Sequence, residues 1–255
     1  MKANKSGNQG SWFFHDGELV ENQTILMDPA EGRHAVRSMR LGVGDCLVLF
    51  NGIGQTAECE ILSIGNREAK VEVRTVSVQH HARPAVSITL ITAIPKGERQ
   101  STMVEMLTQA GADEIIPLHS EFSQVKFSEN IGLRWQRIAI SACKQSKRAY
   151  TPTIHDGLTL SQALQAAKGR GDETVTGKVF GSQSGIQIFN LEKQDFSNVK
   201  NMMLFVGPEG GFSDPEVDLL LAEKSTPVML SPFILRTETA SVLLTAAVRQ
   251  FLSES

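Results

Sequence analysis

Near residue 84 the hydrophobic period of this chain changes, and that change narrows the folds open to it. Between residues 11 and 80 apolar residues come in short strand-length runs, Leu47 to Phe50, Ala57 to Ile64 and Lys70 to Val76. In the last run Val71, Val73 and Thr75 alternate with Glu72 and Arg74, the period of a strand with one buried face. Glycine-rich breaks separate the runs at Gly42 to Asp45, Asn51 to Gly54 and Gly65-Asn66, so a small β-barrel is expected over 11–80. Gln79 to Pro84 reads as a linker. Beyond it, strands are expected at Val86 to Ala93, Glu114 to Leu118, Val175 to Gly181, Met202 to Val206 and Pro227 to Leu230. Helices are expected at Glu98 to Ala110, with Met103, Met106, Leu107 and Ala110 on one face, and at Ile131 to Cys143, with Ile131, Trp135, Ile138, Ala139 and Ala142 inward. A last helix, Glu238 to Leu252, carries the stripe Ala240, Leu243, Leu244, Ala247, Val248 and Phe251. Strands alternating with helices imply the α/β class, with a parallel sheet over 84–255.

Composition removes several classes. With 255 residues, 41% hydrophobic and 21% charged, the chain suits one large or two small domains and is not a disordered polymer. No apolar run is long enough to span a bilayer. Met1 to Gly10 is polar and is expected to be a disordered tail or an added remnant, not a secretory signal. Cys46, Cys59 and Cys143 are dispersed, which predicts buried thiols in a reducing, cytoplasmic setting and no metal site. A net charge of −3 gives no global argument for nucleic acid, so any such argument is local. Two places offer one. Arg33, Arg37 and Arg40 recur at helical spacing. Asn130 to His155 holds five Lys or Arg residues and no acid, with Arg137, Lys144 and Arg148 on one side if a helix persists. Each is either a solvated basic face or a phosphate-neutralising one.

Two strand-to-helix junctions carry the chemistry. Gly207-Pro208-Glu209-Gly210-Gly211-Phe212-Ser213 follows a strand, and Ser213 with Glu216 forms a capping-box pattern that starts a helix at Asp214. Such a turn is either simply tight or a place where backbone meets ligand, at the strand end where α/β folds bind. Neither G-x-G-x-x-G nor a Walker-type lysine is present. In Leu230 to Ala240, Thr237 is expected to cap the final helix, and capping also explains Glu238. Arg236 is different, because a cation at a helix N-terminus opposes the dipole. Phe180 to Gly185 reads as a polar loop.

G-P-E-G-G-F-S followed by L-S-P-F-I-L-R-T-E-T-A resembles the RsmE family, 16S ribosomal RNA methyltransferases of the SPOUT trefoil-knot superfamily. Supporting segments are His34 to Asp45, Lys96 to Arg99, Gln109 to Ala112 and Ala142 to Arg148. The resemblance implies a PUA-like RNA-binding barrel over 11–80 and a knotted methyltransferase domain over 84–255. It implies a cytoplasmic homodimer that uses S-adenosylmethionine to methylate N3 of a uridine in 16S rRNA or the small ribosomal subunit, without metal or membrane. The cofactor loops would be Phe180, Gly181 and Ser182, then Gly207, Pro208, Glu209, Gly210 and Gly211, then Leu230, Ser231, Pro232, Ile234 and Leu235. Arg236 would stabilise the uridine anion, and Glu238 would orient it or accept the proton. Arg33, Arg37, Arg40, Arg137, Lys144, Lys147 and Arg148 would contact RNA. Met106, Lys144, Lys147, Ser231 and Phe233 depart from the family pattern around the RNA side. The other readings are a non-catalytic RNA-binding relative and an α/β enzyme that binds phosphate at the Gly207 turn.

Overall fold

The computed structural model describes residues 10–65, 70–168, 176–192, 196 and 198–253. The expected tail, Met1 to Gln9, Asn66 and the strand start at Val175 lie outside these. The chain divides into two compact units, one of Met1–Arg83 with Cys143–Thr151, the other of Pro84–Ala142 with Pro152–Ser255.

The first unit is a five-stranded sheet built from β1 (Trp12–Phe14), β2 (Thr24–Leu26), β3 (Cys46–Phe50), β4 (Gln55–Ile64) and β5 (Val71–His80), in the order β1-β3-β4-β5-β2. The alternation read in β5 is present, with Val71, Val73 and Thr75 buried and Glu72 and Arg74 exposed. Phe13, Leu47, Leu49, Cys59 and Ile61 complete that core. Two register breaks between β4 and β5 bend the long pair around it. Gln79 and His80 are not linker, since both pair with β4 as the end of β5. Cys46 is exposed rather than buried, because it begins β3 on the outer face.

Short helix α1 (Pro29–Arg33) is started by Asp28, whose Oδ1 accepts from Ala30 N at 2.8 Å. It runs into a π-helical turn, His34–Ser38, and Arg40 then adopts φ +57°. The regular face expected for Arg33, Arg37 and Arg40 is therefore broken.

The second unit is an all-parallel sheet with helices on both faces. Its strands are β6 (Ser87–Ala93), β7 (Glu114–His119), β8 (Thr153–Ile154), β9 (Leu158–Thr159), β10 (Thr176–Gln187), β11 (Asn201–Val206) and β12 (Thr226–Met229). The order is β12-β10-β11-β6-β7-β8, with β9 also on β7. Neighbouring residues along a strand serve opposite faces. Met202 and Leu204 join a core with α2 (Arg99–Ala110), α3 (Glu129–Ser146) and α6 (Thr237–Ser253), whereas Met203 and Phe205 join one with α4 (Leu160–Lys168) and α5 (Asp214–Ala222). This two-sided burial is why β6 and β11 read as continuous apolar runs. Truncating a fully buried side chain such as Leu204 to alanine costs about 2–5 kcal/mol.

From β12, at one edge, the chain returns past β10 and β11 and lays α6 against β6 and α2. Arg249 fastens the far end of α6 to Val86 O at 2.8 Å, Gly111 O at 2.7 Å and the Asp113 carboxylate. None of the described helices is long and apolar enough to cross a membrane.

Several expected details differ. Met106 and Leu243 are exposed, since the buried stripes are narrower and are completed by Thr108 on α2 and by Ser241 and Thr245 on α6. Ser182 to Gly185 belongs to β10, not to a free loop: the pairing with β12 breaks between Gly181 and Ile186 and then resumes. Helix α3 stops at Ser146, and Lys147 has φ +58°. Arg148 is thus off the helix that was to align it with Arg137 and Lys144.

Candidate cofactor pocket and basic surfaces

Three neighbouring parallel strands deliver three segments to one end of the sheet. The break in β10 supplies Phe180 to Gln183, the turn after β11 supplies Gly207 to Gly211, and the segment after β12 supplies Leu230 to Leu235. Together they enclose a cavity of about 350 Å³. Its position, outside the carboxyl ends of parallel strands, is where open α/β sheets take ligands. Its volume lies within the ordinary range for small-molecule sites.

The Gly207 turn is closed by Gly211 N donating to Pro208 O at 2.8 Å. Gly211 adopts φ +76°, which favours glycine. Gly207 is needed for a different reason. A Cβ there would lie 3.0 Å from Gly211 C and 3.2 Å from Phe212 N, backbone that cannot yield. Gly210 faces neither constraint, and a Cβ would meet the Phe122 side chain at 3.3 Å. A Cβ on Gly181 would meet no protein atom nearer than Phe205 O at 4.0 Å, so the space beside this lining residue is the cavity itself. The capping box after the turn is formed, with Ser213 N donating to Glu216 Oε2 at 3.0 Å.

Val206, Val217, Val228, Leu230, Leu235 and Phe180 give the cavity an apolar lining, and the ring of Phe180 meets that of Phe212 edge-on at 6.3 Å. Of the thirteen expected cofactor residues, Pro232 is the one that does not line it. An apolar slot bordered by open backbone suits a flat heterocycle with a polar tail. Those features fit S-adenosylmethionine.

Charged groups stand beside the Gly207 turn and the start of α6. Thr237 begins α6 rather than capping it. It is buried, and its hydroxyl donates to Gly207 O at 3.3 Å, tying the last helix to the turn. Arg236 is exposed, and its side chain forms no ion pair or hydrogen bond among the described residues. Glu238 does not orient it. Glu238 Oε2 instead accepts from Arg99 Nη1 at 3.4 Å, and the same nitrogen lies 3.1 Å from Glu209 Oε1. Sequence reasoning gave Arg99 no part in the site. The only local signal was a cation opening a helix whose first turn has no acid.

The family model for the RNA methyltransferase domain matches residues 82–249, which contain every segment of the cavity. The chain belongs to the ribosomal RNA small subunit methyltransferase E family. A member from Synechocystis is 30% identical over 92% of this chain and 76% of its own length. One from Bacillus subtilis is 26% identical over 91% of each. A methyltransferase from Legionella pneumophila, solved with S-adenosylmethionine bound, superposes with TM-score 0.82 at 28% identity, covering 96% of this chain and 98% of that one. A second model, for the PUA domain of RNA methyltransferases, matches residues 28–74.

The PUA match contains Arg33, Arg37 and Arg40, all exposed on the first unit. Other basic residues expected at RNA are already engaged. Lys144 pairs with Glu31 at 2.7 Å, which neutralises its charge. Lys147 lies over the Trp12 ring at 5.4 Å and donates to Gly10 O at 3.3 Å, and partial burial lowers its pKa. Arg148 is half-buried and partnered, and Arg137 is exposed on α3. No cluster of metal-ligating side chains occurs among the described residues.

Proposed function

We propose that this protein, a cytoplasmic homodimer, methylates N3 of a uridine in 16S ribosomal RNA, as free RNA or within the small subunit. The observation that carries the reading is the three-segment cavity itself, beside which exposed Arg236 stands between the lining residues Leu235 and Thr237, in a chain of this family. Bound S-adenosylmethionine supplies a methyl group on a sulfonium, ready for in-line attack.

The chain's own contribution is to position and to stabilise charge. The Gly207 turn and the β10 break would hold the methyl donor through the residues that line the cavity. Uridine N3 loses a proton before or during attack, and the developing anion needs a cation beside it. Arg236 is placed to give that charge through its planar donor fork. Glu238, held by Arg99, is assigned to positioning and not to proton transfer. Phe233 and Ile234, both exposed on the rim, offer apolar contact to the splayed nucleotide. Arg33, Arg37 and Arg40 bring the phosphate backbone to the first unit.

The test is mass spectrometry of 16S rRNA from a strain lacking the gene, with the purified protein and S-adenosylmethionine added back. A 3-methyluridine that disappears on deletion and returns on addition supports the reading. An unchanged nucleoside profile rejects it.

A further inference from the structure

We propose that Arg99 is a positioning residue, a charged latch that fixes the cofactor turn relative to Arg236. The inference rests on the reading above that Arg236 faces the substrate. Three observations carry it. Arg99 stands at the first position of α2, where a cation opposes the helix dipole and no acid shares the turn, so its place is not explained by helix formation. Its Nη1 sits between two carboxylates, 3.1 Å from Glu209 Oε1 and 3.4 Å from Glu238 Oε2. Those carboxylates belong to the two parts that must be in register for transfer. Glu209 lies within the turn that lines the cavity, and Glu238 lies in the first turn of α6, two residues beyond Arg236.

The three partners come from α2, the turn after β11 and the start of α6. No backbone hydrogen bond can span all of them. The Thr237 hydroxyl ties α6 to Gly207 at the inner end of the turn, whereas Arg99 ties it at Glu209, near the outer end. With both ties made, the segment carrying Arg236 cannot slide along the turn. With only the Thr237 tie, it can pivot. Glu238 is the most sheltered of the three, with 14% of its side chain accessible against 33% for Arg99 and 45% for Glu209. The Glu238 contact is therefore the less screened of the two.

One geometric detail makes the test sharp. Both contacts run through a single nitrogen, so the planar fork is not used, and an ammonium at that point can meet the same two carboxylates. Arg99→Lys and Arg99→Gln in the full-length protein are compared for S-adenosylmethionine affinity by calorimetry, for kcat and KM on 16S rRNA, and for melting temperature. The latch predicts that Arg99→Gln weakens cofactor binding and lowers kcat by about two- to thirtyfold each, the usual range for a coupling residue, with melting within a degree or two of wild type. Arg99→Lys recovers most of both. Combining Arg99→Gln with Glu238→Gln adds little further loss, because the two remove one interaction.

Wild-type affinity and kcat in Arg99→Gln overturn the proposal. So does a lysine variant as impaired as the glutamine one. A salt-dependent rise in KM for RNA at constant kcat also overturns it, by placing Arg99 on a phosphate. Cofactor affinity is read without RNA, so the latch is judged by that titration even if wild type transfers nothing to rRNA and the proposed function fails.

Discussion

A methyl group at Gly181 is the cleanest probe of the cavity. The residue lines it, has no left-handed φ, and would place a Cβ no closer than 4.0 Å to any protein atom, at Phe205 O. Gly181→Ala is thus accommodated by the free protein, and stability should change by no more than about 0.5 kcal/mol. With ligand bound, the same methyl enters occupied space. Overpacking typically costs about 1–3 kcal/mol, which corresponds to roughly 5- to 150-fold weaker binding. At a ligand concentration 100 times the wild-type Kd the stabilisation by ligand is about 2.7 kcal/mol, and a tenfold loss of affinity removes nearly half of it. Calorimetry and ligand-dependent melting of the two proteins read both quantities. Gly207→Ala is the contrasting control. Its Cβ would strike backbone at 3.0 Å, so melting temperature and affinity should fall together. Unaltered S-adenosylmethionine affinity in Gly181→Ala would refute the placement of the ligand in this cavity.

Three further outcomes are expected. Arg236→Ala should leave cofactor affinity nearly intact while slowing methyl transfer by roughly 10²-fold, with little recovery in Arg236→Lys, and near-normal turnover per folded molecule ends that assignment. Reversing charge at Arg33 and Arg37 should weaken RNA binding and flatten its dependence on salt, measured by titration at several ionic strengths, because fewer counterions are released. Burial pushes the Cys59 thiol up to about 12 from its ordinary 9.0, so the folded protein keeps a proton that the unfolded chain sheds, and stability falls as pH climbs from about 9 towards 12. Urea unfolding at pH 8 and pH 10.5 should show that fall, reduced in Cys59→Ala, while alkylation near neutral pH should mark exposed Cys46 first.

The parts legible in the sequence are those encoded by short-range pattern. The turn Gly207 to Gly211 and its capping box are local, and so are the apolar runs of β6 and β11. Gly210 lines the cavity as the turn pattern implies, while a Cβ added there would meet the Phe122 side chain at 3.3 Å. The extension of β10 through Ser182 to Gly185 was illegible because a strand that breaks register carries no alternation to read. The return of Cys143 to Thr151 to the first unit was likewise hidden. Cys143 to Thr151 groups with the first unit through contacts such as Tyr150 Oη donating to His81 O and Lys144 to Glu31. Cutting near Arg83 would strip partners from that segment. Charge reversal in the intact chain is therefore the better test of where RNA binds.

The charged groups beside the turn show why site chemistry is harder to read than site position. Arg236 and Glu238 are two residues apart, and nearness in sequence made them an obvious pair. Arg236, however, precedes α6 whereas Glu238 lies in its first turn, and no ion pair or hydrogen bond joins the two side chains. Glu238 instead meets Arg99, 139 residues earlier in the chain. Nothing in the pattern of α2 names that partner, since a long-range ion pair depends on how three separate elements dock. Among the described residues, no acid pairs with Arg236. A guanidinium already paired would have little charge to lend to a uridine anion, whereas an unpaired one keeps all of it. If Arg236 acts on the nucleotide as proposed, the Arg99 pairing helps keep it free to do so, and exchanging Glu238 for glutamine should disturb the register of Arg236 without exposing a new carboxylate to it.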